Sequence, residues 1–218
     1  MELYLIRHGQ STNNRGDLRV SDPPLTELGE EQARLVGQFI KDEGISRLYC
    51  SPMIRALHTA ALINEHLGLV PYVFVGLHEM GGIYEDREDG RAQLPGLNRA
   101  GMMAVCPNVV LPDEVTDEGW WFHEWETFED VAQLAYDNGL AFIEYLKANY
   151  ADTDKRVAAV SHGGSGSKFL EALFAIPDTS YTRFAHHNTA VSKIIITTDQ
   201  VRLRYLNRID HLPEDTVT

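Results

Sequence analysis

Residues 3–9 read Leu-Tyr-Leu-Ile-Arg-His-Gly, an apolar run that ends in a guanidinium, an imidazole and a glycine. Consecutive apolar side chains are typical of a strand buried on both faces of a sheet. A second strand is predicted over residues 156–160 and is followed by Ser161-His162-Gly163-Gly164. Since α/β folds bind ligands outside the carboxyl ends of their strands, both histidines are predicted to lie at a binding edge.

Periodicity and capping residues predict how strands and helices alternate in the rest of the chain. Thr26 is suited to cap a helix that runs to about Asp42, and Ser51-Pro52 is suited to begin another that ends at Gly68. The alternation favours an α/β class, a three-layer α/β/α sandwich with a mainly parallel (mixed) central sheet. We expect a single domain over residues 1–218, with a long irregular insertion at about 80–126 near the active site. Further strands are predicted at residues 45–50, 71–77, 192–198 and 201–206, and further helices at 127–146 and 163–176.

Composition narrows the class of partner and the compartment. The formal net charge of −13 argues against nucleic acid, which is held by clustered Lys and Arg. No apolar run approaches the roughly 20 residues of a membrane span, and no signal peptide is evident. With only Cys50 and Cys106, a disulfide scaffold is not expected, and a cytoplasmic location is predicted. The composition leaves the oligomeric state open.

The residue types at the strand ends suit phosphoryl transfer without a metal, which needs a nucleophile, fixed positive donors and an acid. His8 can attack phosphorus if a backbone carbonyl holds its other ring nitrogen. Arg7 is its neighbour, and Arg55 lies in the first turn of the Ser51-Pro52 helix, near the positive end of the helix dipole. His162, in its charged form, would stabilise developing negative charge.

In order along the chain, these motifs resemble those of the histidine phosphatase superfamily, in the branch that contains cofactor-dependent phosphoglycerate mutases and broad-specificity phosphatases. The matching stretches are residues 7–11 with Asn14, 25–29 with 32–33, 51–56 with 59–60, and 160–164. The resemblance implies that His8 becomes phosphorylated and that Arg7, Arg55 and His162 bind the phosphoryl group. It also implies that Glu79 protonates the leaving group and that Asn14 helps to hold a phosphate oxygen.

The resemblance does not define the substrate, because the segment that follows Glu79 departs from the family pattern. Many relatives carry a Gly-x-Trp-Glu-Gly-like segment after the acid, whereas this chain has Gly81-Gly82-Ile83-Tyr84-Glu85-Asp86. The missing final glycine puts the shape of this loop, and the outer contacts of the substrate, in doubt. The catalytic set itself is unaffected.

Three functions are compatible with these residues. The favoured one is a metal-independent phosphatase that hydrolyses phosphomonoesters through phosphohistidine on His8. The alternative is a cofactor-dependent phosphoglycerate mutase, which shares every catalytic residue but keeps water from the phosphoenzyme. An acidic, tryptophan-bearing insertion does not suit bisphosphate handling. The third, a non-catalytic phosphate-ligand or protein-binding module, is disfavoured because nucleophile, donors and acid are all retained.

Three weaker signals have ordinary interpretations. His186-His187 is not expected to bind a metal, because neighbouring residues rarely reach one ion, and no cofactor is predicted. The aromatic residues 120–122 and 125 are interpreted as a small core under a long loop, with a substrate-selecting wall as the alternative. Arg87, Arg91 and Arg99 are interpreted as solvated loop arginines, with a second anion site as the alternative.

Overall fold

The protein is described by a computed structural model that covers residues 1–16, 19–88, 90–121, 127–177 and 184–218, without the side chains of residues 128 and 129. The strands are β1 Glu2–Arg7, β2 Arg47–Cys50, β3 Pro71–Val73, β4 Tyr84–Arg87, β5 Gly90–Gln93, β6 Arg156–Ser161, β7 Val191–Ile196 and β8 Val201–Arg208. The α-helices are α1 Thr12–Arg15, α2 Glu27–Ile40, α3 Ile54–Leu67, α4 Arg99–Val105, α5 Phe128–Tyr150 and α6 Gly163–Leu173. Short 3₁₀ helices cover Lys41–Glu43, Val75–Leu77 and Glu214–Thr216.

Six strands form one mixed sheet in the order β3-β2-β6-β1-β7-β8. The first four are parallel to one another, whereas β7 runs antiparallel to both β1 and β8. In the β1–β6 pairing, Arg7 lies opposite Ser161. The two strands therefore end level with each other, and His8 and His162 follow at the same edge.

The sheet is covered on both faces, which gives the three layers that the sequence predicts. Along β1, Tyr4 and Ile6 pack in one cluster with apolar residues of α2 and α3. Leu3 and Leu5 point to the opposite face and pack in a second cluster with α5 and α6. All four side chains are almost completely buried, because a strand between two helical layers exposes neither face.

Several predicted boundaries are wrong. The helix expected to be capped by Ser51 begins at Ile54, and Met53 at its N-cap makes no side-chain bond to the first turn. The third strand ends at Val73 rather than at residue 77, because a 3₁₀ turn closed by the bond from Leu77 N–H to Phe74 O bends the chain away from the sheet. In addition, α6 ends at Leu173, three residues before its predicted end.

The insertion at 80–126 contains regular structure that its sequence pattern does not predict. β4 and β5 form a two-stranded hairpin, and α4 follows with Asn98 capping its first turn. These elements are too short for a periodicity to be visible. Met102, Cys106 and Trp120 are fully or almost fully buried in the same apolar cluster as α2 and α3. The insertion thus packs on the main core.

Where the structure describes the chain, none of its helices combines the length and apolar character needed to traverse a bilayer.

Candidate active site

His8 follows the last residue of β1 and is fixed by bonds on both sides of its ring. Its backbone N–H donates to Ser161 O (2.9 Å), and its Nδ1 lies 2.6 Å from Gly9 O. Arg55 Nε donates to its Nε2 at 3.1 Å. Because Nε2 accepts this bond, the ring proton is on Nδ1, and the Nε2 lone pair faces Arg55. Burial, reinforced by the charges of Arg55 and Arg7, lowers the pKa of His8 well below its ordinary range and keeps the ring neutral.

Gly9 is required by a close contact between the loop after β1 and α2. A methyl group at Gly9 would lie 2.2 Å from Gly29 O, and one at Gly29 would lie 2.0 Å from Gln10 O. The first turn of α2 is therefore pressed against the backbone of the His8 loop. This contact explains the paired glycines in the motifs at 7–11 and 25–29.

The two arginines hold their positive charges beside His8. Arg7 Nη1 donates to His186 O at 2.5 Å, while its Nε is buried and has no partner among the residues that the structure describes. Arg55 Nη1 lies 3.5 Å from Asp22 Oδ1. Burial lowers the pKa of both guanidinium groups, and the Glu79 carboxylate partly offsets this for each.

His162 lies behind His8, with the two ring centroids 5.0 Å apart. Its Nε2 is 2.7 Å from Ser51 Oγ, and its Nδ1 is buried without a partner in the described part of the chain. Burial and the charges of Arg55 and Arg7, among others, lower its pKa well below the usual range. The ligand-free protein therefore holds His162 neutral, whereas the sequence predicted a role for its charged form.

Glu79 lies at the N-terminus of α6. Its Oε1 accepts from the N–H groups of Ser165 (2.8 Å) and Met80 (2.9 Å), and its Oε2 accepts from Gly164 N–H at 3.3 Å. Amides at the N-terminus of α6 thus bind the protein's own carboxylate, at the positive end of the helix. The backbone O of Glu79 is in turn 2.8 Å from His78 Nδ1.

Asn14 is positioned from the short helix α1. Its Oδ1 accepts from the N–H (3.1 Å) and the hydroxyl (3.0 Å) of Ser11 and from Asn188 Nδ2 (3.4 Å). Since these three donors occupy the oxygen, Nδ2 is the Asn14 atom suited to donate to an anionic ligand. Asn188 Nδ2 also donates to His8 O at 2.9 Å, so one amide connects the nucleophile loop to α1.

A cavity of about 730 Å³ opens over these residues. Five of the six predicted site residues line it, and the sixth, His162, is buried with its ring 5.0 Å from that of the lining residue His8. The cavity lining also includes charges of both signs, Arg19 and the carboxylates of Glu85 and Asp86 on β4. The five lining residues are Arg7, His8, Asn14, Arg55 and Glu79.

The sequence pattern gives no sign of a role for Asp22, and it wrongly predicts that Ser51 begins α3. Both Asp22 oxygens lie 3.2 Å from Ile54 N–H, so this carboxylate from a distant loop caps α3 in place of Ser51. Burial raises its pKa to about 6, although Arg55 and the Ile54 N–H act in the opposite direction. The Ser-Pro dipeptide is a real helix signal, but no local pattern shows that Asp22 or His162 folds against it.

The weaker sequence signals have structural explanations where the chain is described. His186 is buried with its Nε2 2.9 Å from Ser192 Oγ, whereas His187 is exposed. Trp120 is fully buried and Trp121 is 55% exposed, while Phe122 and Trp125 lie outside the described residues. The three insertion arginines have protein partners. Arg87 pairs with Glu85, Arg91 pairs with Asp86, and Arg99 donates to the backbone oxygens of Pro112 and Val115.

Residues 3–209 match the sequence model of the histidine phosphatase superfamily (branch 1). The chain belongs to this superfamily and is an enzyme of the phosphoric monoester hydrolase class. It is 30% identical over 211 residues to the uncharacterized phosphatase PhoE of Bacillus subtilis, with 95% of each chain covered. It is 37% identical over 90 residues to the probable phosphoglycerate mutase GpmB of Yersinia pestis, which covers 40% of this chain and 42% of that protein.

Among solved structures, the mycobacterial glucosyl-3-phosphoglycerate phosphatase in complex with VO3 superposes with a TM-score of 0.64. Its sequence is 25% identical, and the match covers 94% of this chain and 98% of that one.

Proposed function

We propose that the protein is a metal-independent phosphatase that hydrolyses phosphomonoesters through a phosphohistidine intermediate on His8. One observation carries this proposal. A buried, neutral His8 lines the cavity with its Nε2 bonded to Arg55 Nε, and further buried N–H donors belong to the preceding residue, Arg7, and to His162, whose ring centroid lies 5.0 Å from that of His8. Two of those donors, Arg7 Nε and His162 Nδ1, have no partner within the described residues. Buried donors without acceptors are costly, so this arrangement fits an anion that brings its own acceptor oxygens.

In the first step, His8 Nε2 attacks phosphorus in line and the P–O ester bond breaks. Arg7, Arg55 and His162 donate to the phosphoryl oxygens, on which negative charge is spread in the transition state. Arg55 Nε lies 3.1 Å from His8 Nε2. An oxygen of the incoming phosphoryl group therefore replaces His8 Nε2 as the acceptor of this N–H. The bond from Nδ1–H to Gly9 O persists and keeps the ring oriented.

Glu79 handles the proton in both steps. It donates a proton to the leaving oxygen, and the resulting carboxylate then deprotonates a water that attacks the phosphohistidine. The P–N bond breaks, and inorganic phosphate and neutral His8 are released. Among the described residues, Oε2 accepts one backbone bond, at 3.3 Å, whereas Oε1 accepts two shorter ones, so Oε2 is the oxygen suited to carry the proton.

The test of this mechanism is His8→Ala, with His58→Ala as the control at a partly buried histidine of α3 outside the cavity. His8→Ala is expected to abolish release of phosphate from p-nitrophenyl phosphate and acid-labile labelling by a ³²P donor. His58→Ala should retain both. Turnover that persists in His8→Ala would rule out a phosphohistidine at this position.

A separate test addresses the acid. Glu79→Gln removes the transferable proton but keeps an amide at the N-terminus of α6. We expect hydrolysis of an alkyl phosphate to fall by about 10²–10⁴-fold, the range of general acid catalysis, and hydrolysis of p-nitrophenyl phosphate to fall less. An equal loss for both substrates would assign protonation of the leaving group to another residue.

Phosphoglycerate mutase is a second candidate, favoured by the likeness to GpmB over 90 residues. Hydrolysis is favoured because Glu85 and Asp86 in the cavity lining would repel a second phosphate and the nearby Arg87 and Arg91 are paired with them, which leaves Arg19 as the lining cation outside the phosphoryl site. Measuring free phosphate against phosphoglycerate isomerisation, with and without a bisphosphoglycerate primer, separates the two. A panel of phosphomonoesters would then rank substrates, and binding without release would indicate a non-catalytic module.

A further inference from the structure

We infer that Ser51 is a positioning residue that fixes the tautomer of His162, so that His162 presents an Nδ1–H donor to the phosphoryl group. This inference rests on the proposed function for the identity of the acceptor. The tautomer itself is a property of the ligand-free protein and can be measured independently.

The partners of the Ser51 hydroxyl determine which group donates in its hydrogen bond to His162. Ser51 is completely buried, and in the described part of the chain its Oγ contacts two polar groups. Met53 N–H, at 3.2 Å, can only donate and occupies a lone pair of Oγ. The hydroxyl proton therefore needs an acceptor, and His162 Nε2, at 2.7 Å, is the group within reach. Ser51 thus donates to Nε2.

The opposite arrangement leaves two buried groups unsatisfied. If His162 carried its proton on Nε2, Ser51 Oγ would accept twice and its own proton would have no partner among the described residues. Nδ1 would then be a buried lone pair without a donor, since it has no partner there either. Donation by Ser51 satisfies the hydroxyl and makes Nδ1 a protonated donor.

The Nδ1–H of His162 can then donate to a phosphoryl oxygen, which is the acceptor that the proposed reaction supplies. Arg7 Nε is likewise buried without a partner in the described residues, and the Arg7 side chain passes close to Gly163, next to His162. Two buried N–H donors are thus left for oxygens of the ligand, one on the residue that precedes His8 and one on the ring 5.0 Å from it. His8 and His162 carry the same Nδ1–H tautomer but use it oppositely, since His8 gives Nδ1–H to Gly9 and attacks with Nε2.

Ser51 does not cap α3. The helix begins at Ile54, and Ser51 Oγ accepts from Met53 N–H, which precedes the helix. The capping is supplied instead by Asp22, whose oxygens accept from Ile54 N–H. Ser51 is therefore available to bond His162, which follows β6 at the same edge of the sheet.

Tautomers are read from the ¹⁵N side-chain spectra of histidine-labelled protein, with His162 assigned by the peaks that His162→Gln lacks. In ligand-free wild type at pH 7 we expect a protonated Nδ1 and an unprotonated, hydrogen-bonded Nε2. Adding inorganic phosphate should shift the Nδ1–H signal. In Ser51→Ala, Nε2 loses its donor, and the spectrum should change to Nε2–H or to a mixture of tautomers.

Activity supplies the second readout. Loss of one oriented donor to developing charge should lower kcat of Ser51→Ala by roughly tenfold or more, with a smaller change in KM. Ser51→Cys, which keeps a weak donor, should be intermediate, and it replaces the alanine variant if that variant does not fold. Ser192→Ala is the matched control, because Ser192 is also buried and also bonds a histidine Nε2 and a backbone N–H. It should leave the His162 spectrum unchanged.

Three results would overturn the inference: an Nε2–H or doubly protonated His162 in wild type, an unchanged tautomer in Ser51→Ala, or an Nδ1–H signal insensitive to phosphate. Failure of the proposed function looks different. In that case His8→Ala keeps its turnover, while the His162 spectrum of the ligand-free protein still shows the Nδ1–H tautomer.

Discussion

Replacing Asp22 by asparagine is expected to stabilise the protein at pH 7 and to slow catalysis. The Asp22 side chain is 11% exposed, and burial raises its pKa from 3.8 to about 6 despite Arg55 and the Ile54 N–H. A carboxyl whose pKa is higher in the folded protein favours folding when protonated. Its stabilising contribution is complete below pH 3.8 and is lost as the pH rises through about 6.

The size of the effect follows from that change in pKa. A rise from 3.8 to about 6 corresponds to about 3 kcal/mol of folding free energy at pH 7. Asparagine keeps an oxygen that can accept from Ile54 N–H but carries no charge. Asp22→Asn should therefore gain up to about 3 kcal/mol at pH 7, a rise in Tm of about 5 °C or more. Near pH 4 the gain should vanish, because the wild-type carboxyl is then largely protonated.

The same substitution, Asp22→Asn, is expected to lower the catalytic efficiency. Asp22 Oδ1 holds Arg55 Nη1 at 3.5 Å, and Arg55 Nε reaches the attacking nitrogen of His8. Without the charge, the guanidinium is less firmly oriented, so kcat/KM should fall about tenfold, the scale of one charge-assisted hydrogen bond. A residue kept charged against stability for the sake of activity is a common trade-off in enzymes.

The measurements are thermal melts of wild type and Asp22→Asn from pH 4 to 7.5 and initial rates at pH 7. Asp113→Asn, at an exposed carboxylate of the insertion, is the control for loss of a surface charge. A variant that is less stable at pH 7, or a difference in Tm that does not change with pH, would refute the reasoning.

Three further predictions concern a close backbone contact, a buried ion pair and the dependence of activity on metal. Gly9→Ala should destabilise the fold by about 3 kcal/mol or more, seen in urea unfolding, because its methyl would lie 2.2 Å from Gly29 O. Glu171→Ala should cost about 3–5 kcal/mol in the same assay, since it removes the carboxylate 2.9 Å from the buried Lys168 ammonium; a loss below about 1 kcal/mol would contradict this. Dialysis against EDTA should leave phosphatase activity unchanged, and recovery only on addition of a divalent cation would contradict the metal-free mechanism.

The local sequence was sufficient wherever a contact depends on neighbours in the chain. The apolar run of β1, the Thr26 cap of α2 and the start of α5 at Thr127 all lie where the pattern predicts, because the bonds from Gly29 N–H to Thr26 and from Asp130 N–H to Thr127 span three residues. The three-layer class also followed from the order of elements. The short elements of the insertion did not, since two four-residue strands and a seven-residue helix show no measurable periodicity.

The sequence by itself determined which groups the candidate site contains: two histidines and two arginines at the ends of predicted strands or at a helix start, with Glu79 and Asn14 added by resemblance. Only the tertiary structure decided how they meet. The parallel register of β1 and β6 places His8 and His162 at one edge, and Asp22 reaches Arg55 across 33 positions of sequence. Ser51 reaches His162 across 111 positions. Such contacts arise when the chain is folded back on itself, so no local propensity encodes them, and they fix the tautomers and charges on which the proposed chemistry depends.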